Sequence, residues 1–416
     1  MVIHFTGAGM DMKYKIRVLD IKNRAEAMVE FEKIGSTTIG RKIMAEKLFP
    51  FAIKVKDLKV LAINILKQEM LARGGDVVTS RNTLTNTGGT TDVIIEGPYK
   101  NFESLLPKLK MQPFGLKDLS VELEVFLKDH KKIRNKKSFT IGDKKFGLSS
   151  DILVMGILNV TPDSFFDGGK YNRTDEAVKR IREMITGGAD IIDIGGMSSR
   201  PGSKPVSLEE ELERTIPVVE YISKNFDTLI SIDTYRSETA HEAISAGAHM
   251  VNDISAFTMD KDMVGVVANK GVSVVLMHMK GTPENMQENP QYGNVVDEIY
   301  EYLDGKARSA IEAGVSPDKI IIDPGIGFGK TLEHNLSILN KISEFRAMGY
   351  PVMAGASRKS FIGTILDLPV EERLEGSLSA AIWSAINRAN ILRVHDVAET
   401  VRSVKIARSI ITGYKQ

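Results

Sequence analysis

Short apolar runs alternate with amphipathic stretches along the chain from residue 151 onward. The runs are rich in Val and Ile, and the stretches between them carry apolar residues at helical period. This rhythm is typical of parallel strands joined by crossover helices. The strand candidates are ILVMGILNV, DIIDIGG, LISID, MVNDIS, SVVLMHM, IIIDPG, PVMAGAS and ILRVH. Eight strands, each followed by a helix, predict an α/β fold of the (β/α)8 TIM barrel type. An open doubly wound sheet is the alternative, but no Gly-rich dinucleotide fingerprint follows its first strand.

The segment before residue 149 has a different pattern. It begins with alternation in YKIRVLDI, continues with helix-like RAEAMVEFEKIG and VLAINILKQEMLARGG, and contains strand-like DVVTS and TDVIIEG. At 416 residues the chain exceeds the size at which one core usually stops growing. We therefore predict a smaller α+β accessory domain at 1–148 and a barrel domain at 149–416. A structural or oligomerisation role for the accessory domain is favoured over regulation or an activity of its own, because it lacks a cluster of His, Asp or Lys at strand ends.

Composition excludes several classes of function. Lys and Arg number 55 against 54 Asp and Glu, so no charge imbalance indicates a nucleic-acid or membrane partner. There is no cysteine, which excludes disulfides and thiolate chemistry and fits a reducing compartment. The first residues, MVIHFTGAGMDMKYKIRV, lack a basic segment followed by an apolar core, and no segment approaches a membrane span. We expect a cytoplasmic protein whose metals, if any, use oxygen or imidazole ligands.

Polar side chains follow every predicted strand of the barrel. Because the carboxyl ends of barrel strands meet on one rim, these side chains are expected to form the active site. A lone Asp at a strand end is more often a turn or helix cap, but a polar group at every strand end makes that explanation poor. His278, by contrast, is interpreted as a structural histidine. The strand-end residues, in order, are Asn159, Asp193, Asp233, Asn252 with Asp253, His278, Asp323, the SRKS segment at 357–360, and Arg393 with His395.

The candidate site residues divide by charge. The cationic set suits a phosphate or carboxylate, and consists of Arg200, Arg358, Lys359, Arg393 and His395. The opposite set is Asp233, Asn252 and Asp323. Carboxylates beside an amide suit a flat heterocycle with several N–H donors on one edge. The predicted site therefore holds a donor-rich ring at one end and an anion at the other.

The motifs GILNVTPDSFFDGG, DIGGMSSRPGS, SIDT, VNDIS, LMHMKGTPENMQ, DPGIGFGK, ASRKS and RVHDV, in this order, resemble the pterin-binding barrel family. The resemblance covers roughly residues 150 to 416. It implies the condensation of (7,8-dihydropterin-6-yl)methyl diphosphate with 4-aminobenzoate in folate biosynthesis, with Mg²⁺ as cofactor, sulfonamides as inhibitors and a homodimer as the assembly.

The resemblance also implies roles for individual residues. Asp167, Asp323 and Lys359 would be catalytic, the two carboxylates by stabilising the cationic methylene carbon. Asn159 would bind the metal, and the loop after it, with Asp167, would close over the substrate. The pterin would be held by Asp233, Asn252, Asp323 and Lys359; the diphosphate by Ser199, Arg200, Arg393 and His395; and the aminobenzoate by Phe328, Ser357, Arg358 and Ser360.

Three alternatives remain open. The second loop carries Met197 and Ser199 where the commonest family form has Glu and Thr. The lost carboxylate at Met197 keeps open a related synthase that uses a phosphoribosylated aminobenzene as acceptor. A methyltetrahydropterin:corrinoid methyltransferase would share the pterin-holding residues but would not need the cationic set. A non-catalytic pterin-binding protein would be expected to have lost Lys359 or Arg393, and both are present.

Overall fold

The computed structural model describes residues 17–84, 88–136, 138–160, 171–197 and 206–412. The chain divides into two compact units, Met1–Asp129 and His130–Gln416. The predicted domain boundary at 148/149 lies within the second unit. Within the described part of the chain, no helix is both long and apolar enough to cross a membrane.

The first unit packs helices on a small antiparallel sheet of order β1-β3-β2. Its centre is apolar, with Ile63, Leu66, Ile95, Phe102 and Leu105 fully buried. Residues 17–21, the described part of the YKIRVLDI stretch, have no regular structure, so the alternation there does not form a strand. The elements are α1 (Arg24–Lys33), α2 (Thr38–Leu48), β1 (Phe51–Lys59), α3 (Val60–Leu71), β2 (Asp76–Val78), a 3-10 helix (Arg81–Leu84), β3 (Thr90–Gly97), α4 (Tyr99–Leu109) and α5 (Leu116–Asn135), which runs into the second unit.

The second unit is the predicted TIM barrel, preceded by the hairpin β4 (Ser138–Ile141) and β5 (Lys144–Gly147). Eight parallel strands form one sheet of order β11-β10-β9-β8-β7-β6-β13-β12. A parallel bridge between Ile322 and Val352 joins the two outer strands of this order and closes the barrel. The strands are β6 (Leu153–Asn159), β7 (Ile191–Gly195), β8 (Leu229–Asp233), β9 (Met250–Asp253), β10 (Ser273–Met277), β11 (Ile320–Asp323), β12 (Met353–Ala354) and β13 (Ile391–Val394).

Helices cover the outside of the barrel. They are α6 (Tyr171–Thr186), α7 (Leu208–Asn225), α8 (Ser237–Ala246), α9 (Met263–Lys270), α10 (Val295–Glu312), α11 (Leu332–Asn340), α12 (Ile342–Phe345), α13 (Ser360–Leu366), α14 (Leu374–Ile386) and α15 (Val397–Thr412), with short 3-10 helices at Arg346–Met348 and Val370–Glu372. Strand residues alternate between the helix-facing core, as Val154 does, and the barrel interior, as Met155 does.

The amino-terminal end of the barrel is closed by the β4–β5 hairpin. Phe139 and Ile141 are fully buried against a layer that takes at least one apolar side chain from each of the eight strands. Hydrogen bonds fasten the hairpin at its edge, since the Thr140 hydroxyl donates to Asp318 over 2.9 Å and its carbonyl accepts from Ser273 over 2.8 Å. This end is therefore filled with apolar side chains, which leaves the opposite end for chemistry.

Candidate active site

The strand-end residues that the sequence singles out lie toward the carboxyl ends of neighbouring barrel strands. In the strand ladder Asn159 is beside Gly195, Gly195 beside Asp233, and Asp233 beside Asn252. Asp323 ends β11 beside Met277. The predicted convergence of these side chains on the carboxyl rim is therefore what the fold produces.

Arg393 is the centre of the buried polar cluster. Its Nε donates to the Asp193 carboxylate over 2.6 Å, and its Nη2 donates to Asp233 over 2.6 Å. Asn252 donates to the same Asp193 oxygen over 3.1 Å. Burial would lower the pKa of the guanidinium, but Asp193 and Asp233 raise it above its ordinary value. Burial in turn raises the pKa of Asp233, and the nearby Arg393 opposes that rise.

This cluster differs from the predicted separation of charges. Arg393 was expected at the anion end, but it lies among the carboxylates of the heterocycle end. The reason is that the Arg393 side chain points into the barrel, where it meets the inward-pointing Asp193 of β7 and Asp233 of β8. The Arg393 side chain is 15 % exposed, so part of it still faces the open rim.

Two buried acceptors in the cluster have no hydrogen-bond partner. They are Asp193 Oδ1 and Asn252 Oδ1. Buried polar atoms without a protein partner are commonly met by water, an ion or a ligand. Acceptors without donors match a ligand that presents N–H groups along one edge.

Asp323 is the second acidic group of the site. Its side chain is 3 % exposed, and one oxygen accepts from the Gly325 N–H over 2.7 Å. Burial raises the pKa of Asp323 to about 6, while the Gly325 hydrogen bond and the charges of Lys359 and Arg393 oppose the rise. A carboxylate so placed is ionised near neutral pH and is surrounded by cations, which suits the stabilisation of positive charge in a bound ring.

The segment after β12 contributes to the same rim. The Lys359 ammonium lies 4.2 Å from the centre of the Phe328 ring, a cation–π contact. Ser357 Oγ accepts from the His395 backbone N–H over 3.2 Å and lies 3.0 Å from His395 Nδ1. Burial, and then the charge of Arg393, lowers the pKa of His395 to about 4. His395 is therefore neutral at physiological pH and could bind an anion as an N–H donor.

Arg358 has a different partner from the one predicted. Its guanidinium makes two hydrogen bonds to the Asp396 carboxylate, of 2.9 and 2.7 Å, in a bidentate ion pair. Its backbone is left-handed, with φ of 56°. The ion pair holds this strained residue in place, so Arg358 secures the loop and its charge is already neutralised. Ser360 begins α13 with an exposed side chain.

Three predicted site residues lie outside the described residues: Asp167, Ser199 and Arg200. Helix α6 ends at Thr186, and Gly188 after it takes the left-handed φ of 93°.

The sequence alone missed the roles of two residues. Asp193 was noted at its strand end, but its pairing with Arg393 joins residues far apart in the chain. Lys330, directly after the GIGFG turn, is buried and binds His278, which makes His278 part of a polar contact in the rim. The position of Lys330, directly after a glycine-rich turn that follows a strand, is a sequence signal that could have indicated its buried role.

The chain belongs to the family of pterin binding enzymes, whose profile matches residues 155–395. Within this family it is similar to dihydropteroate synthases. It is 46% identical over 272 residues to that of Clostridium beijerinckii, covering 65% of this chain and 98% of the relative. It is also 46% identical over 260 residues to that of Escherichia coli strain K12, covering 62% and 92%.

Solved structures of dihydropteroate synthases are also similar to this chain. The dihydropteroate synthase of Yersinia pestis in a sulfonamide drug complex superposes with a TM-score of 0.62 at 40% identity, over 66% of this chain and 100% of that chain. The Xanthomonas albilineans enzyme with 4-aminobenzoic acid gives a TM-score of 0.62 at 38% identity, over 67% and 99%. The predicted fold and family are confirmed, and the matches cover the barrel.

Proposed function

We infer that the chain catalyses the dihydropteroate synthase reaction of folate biosynthesis. The substrates would be (7,8-dihydropterin-6-yl)methyl diphosphate and 4-aminobenzoate, and the products 7,8-dihydropteroate and diphosphate. The observation that carries this inference is the buried cluster of Asp193, Asp233, Asn252 and Arg393 at the carboxyl rim, with unpaired acceptors that suit the N–H edge of a pterin.

The pterin would lie on this cluster, with Asp323 accepting from its N–H groups as well. The side chains that touch the ring would be those of Asp233, Asn252, Asp323 and Lys359. Such a site rejects rings without those donors, because its buried acceptors would then stay unpaired. Binding of this edge orients the methylene carbon toward the open rim.

The rate would come from positioning and from charge stabilisation. When the bond from carbon to diphosphate breaks, the bonding electrons leave with the diphosphate, and positive charge spreads from the carbon into the ring. The buried carboxylate of Asp323 can stabilise that charge, and a preorganised group of this kind is commonly worth a few kcal/mol. The neutral arylamine then forms the new C–N bond and releases its proton.

Asn159 is the proposed protein ligand of Mg²⁺. It ends β6 with an exposed side chain, and a Cβ atom built on the neighbouring Gly195 would lie 3.7 Å from Asn159 Oδ1 and 3.7 Å from an Asp233 oxygen. The Asn159 amide oxygen is a donor of the kind that a hard cation prefers, and Mg²⁺ commonly takes few protein ligands and keeps waters and phosphate oxygens. When bound, the ion would neutralise charge on the departing diphosphate, and Arg393, His395, Ser199 and Arg200 would hold the remaining oxygens.

The acceptor would lie against Phe328, near Ser357 and the backbone of Arg358 and Ser360. A related synthase using a phosphoribosylated aminobenzene stays the second candidate because of Met197, which is half-buried beside the second loop. The methyltransferase is disfavoured, since it has no use for a cationic group beside the pterin site.

Assembly and location are part of the proposal. We expect a homodimer through barrel helices, supported by exposed apolar side chains on α14 and α15, among them Trp383, Ile386, Ile406 and Ile410. The cytoplasm is the proposed location, since the cysteine-free chain needs no oxidising compartment.

Diphosphate release by the purified protein tests the proposal. The protein is given the dihydropterin diphosphate, Mg²⁺, and either 4-aminobenzoate, its phosphoribosylated counterpart or no acceptor. Release that depends on 4-aminobenzoate, and that a sulfonamide inhibits competitively, is the expected result. Release with the ribosylated acceptor alone would replace the proposed acceptor, and no release with either would contradict the proposed function.

A further inference from the structure

The turn after β11 has an unusual backbone. Gly325, Gly327 and Gly329 all take left-handed conformations, with φ of 70°, 82° and 65°. A Cβ on Gly325 would lie 1.9 Å from the His278 carbonyl oxygen, so the turn lies directly against the end of β10. Within the turn the Phe328 N–H donates to the Gly325 carbonyl over 3.1 Å, and the carbonyls that follow need partners from elsewhere.

Side chains supply those partners one by one. The carbonyl of Gly327 accepts from Gln287 over 2.8 Å, that of Phe328 from Lys330 over 2.8 Å, and that of Gly329 from Tyr292 over 2.9 Å. Gln287 and Tyr292 belong to the segment between β10 and α10. Three consecutive carbonyls are thus held by three side-chain donors.

Lys330 is the buried member of this set. Its residue is 4 % exposed, and its amine lies 3.1 Å from His278 Nδ1 and 3.2 Å from the His278 carbonyl. Burial, and then the charge of Lys330, lowers the pKa of His278 to about 3, so the imidazole is neutral and its Nδ1 accepts. Burial lowers the pKa of Lys330 to about 7. Burying the Lys330 amine costs free energy, and its hydrogen bonds to His278 and Phe328 offset that cost.

The residue held by this arrangement is Phe328. Its side chain is buried among Ile254, Met277 and Met286, and its ring lies under the Lys359 ammonium. The backbone bonds on both sides of Phe328 fix where the ring lies. The hydrogen bonds of Lys330 go to Phe328 and His278 and not to the Arg393 cluster on β7, β8, β9 and β13, whereas Asp323 at the end of β11 interacts with Lys330 through charge.

We propose that Lys330 is a positioning residue for the acceptor half of the active site: its buried amine ties the Phe328 carbonyl to His278 and so holds the Phe328 ring where the aromatic amine binds. This inference rests on the proposed function. Lys330 touches neither substrate in this arrangement, so it acts through Phe328.

Steady-state kinetics of Lys330→Met test the proposal. Methionine keeps the length and apolar stem but removes the donor. The KM for 4-aminobenzoate is expected to rise about tenfold or more, as for a lost buried hydrogen bond to a charged group. The KM for the dihydropterin diphosphate is expected to rise by a clearly smaller factor, because Asp323 loses the charge of Lys330 but no hydrogen bond. Lys319→Met is the matched control, because the Lys319 amine binds the Gly271 carbonyl at the exposed, opposite end of the barrel. Its two KM values are expected to stay unchanged.

Tyr292→Phe serves if Lys330→Met does not fold. It removes one hydroxyl donor from the neighbouring carbonyl and should raise the acceptor KM about two- to threefold, again selectively. Equal changes in both KM values, or no change in a folded Lys330→Met protein, would overturn the inference while leaving the proposed function intact. If the unaltered protein releases no diphosphate with 4-aminobenzoate, the proposed function and this inference fail together.

Discussion

The two ends of the barrel are built from the same strands in opposite ways. At the amino end, Phe139 and Ile141 of the hairpin complete an apolar layer that is fully enclosed. At the carboxyl end, a few residues further along the same strands, Asp193, Asn252 and Arg393 fill the interior with charge and with unpaired acceptors. The amino end is filled by apolar side chains that pack on one another, and the carboxyl end holds charged groups and acceptors that suit a donor-rich ligand.

Residues that stabilise the fold therefore lie at the amino end of the barrel, and residues that serve function lie at its carboxyl end. Apolar burial at the amino end stabilises the fold without needing a partner. Buried carboxylates at the carboxyl end are held at a cost, which Arg393 offsets in part. Substitutions at the amino end should therefore lower stability, and substitutions at the carboxyl end should lower binding or turnover. A substitution that lowers both is the most informative.

Replacing Arg393 is expected to have the largest effect, because it should lower both stability and turnover. Arg393→Met leaves Asp193 and Asp233 buried without their cation, and breaking a buried ion pair in this way costs about 3–5 kcal/mol. We expect a large loss of unfolding free energy in urea as well as lost turnover. Arg358→Met is the control, since its pair with Asp396 is more exposed and should cost less than about 2 kcal/mol. Equal effects of the two substitutions would contradict a central role for Arg393 in the cluster.

Phe139→Ala should damage stability alone. Removal of a fully buried Phe costs about 3–5 kcal/mol through lost burial and the remaining cavity. At a temperature where the variant is folded, its kcat/KM for both substrates is expected to stay within about threefold of the original. A selective loss of kcat/KM in folded protein would show that the hairpin end is linked to the active site.

Asp323→Ala should damage pterin binding and turnover rather than stability. The pterin loses an acceptor that is buried and ionised, and its affinity is expected to fall by about 2–3 kcal/mol, roughly 30- to 150-fold. Calorimetric titration with the dihydropterin measures this change. The unfolding free energy should fall little or even rise, because a costly buried carboxylate is removed. Unchanged affinity would remove Asp323 from the pterin site.

The pH dependence of stability tests which buried groups at the carboxyl end change their charge. The pKa of His278 is lowered in the folded protein, so its contribution is fully present above about pH 6.5, its unfolded value, and is lost as pH falls toward 3. Asp233 and Asp323, whose pKa values are raised, act in the opposite direction. His278→Gln keeps an acceptor for Lys330 but does not titrate, so the melting temperature lost between pH 7 and pH 5 should be smaller in this variant. An identical loss would assign the acid sensitivity to other groups.

The sequence predicted the barrel well because its strands are encoded locally. Runs such as IIDIG and IIID are apolar, β-branched and short, and their alternation with helical patterns leaves few other folds. The run PVMAGAS was the least complete strand, with β12 reduced to Met353–Ala354 and a bridge at Val352. Strand ends also located the site, since barrel topology brings them together.

Contacts between distant residues were not predictable in the same way. Arg393 and Asp193 are 200 positions apart, and nothing local to either states that they pair. Lys330 is likewise paired with a histidine that directly follows β10, 52 positions away. Residues 138–147 were assigned to the accessory domain, and that they form a hairpin which closes the amino end of the barrel depends on the three-dimensional packing of Phe139 and Ile141.

A crystal structure of the full chain with the dihydropterin diphosphate and Mg²⁺ tests the account most directly. The account predicts that the N–H edge of the pterin lies against Asp233, Asn252 and Asp323, with the diphosphate toward His395 and the metal at Asn159. A pterin bound elsewhere on the rim, with Asp193 Oδ1 and Asn252 Oδ1 still unpaired, would contradict it.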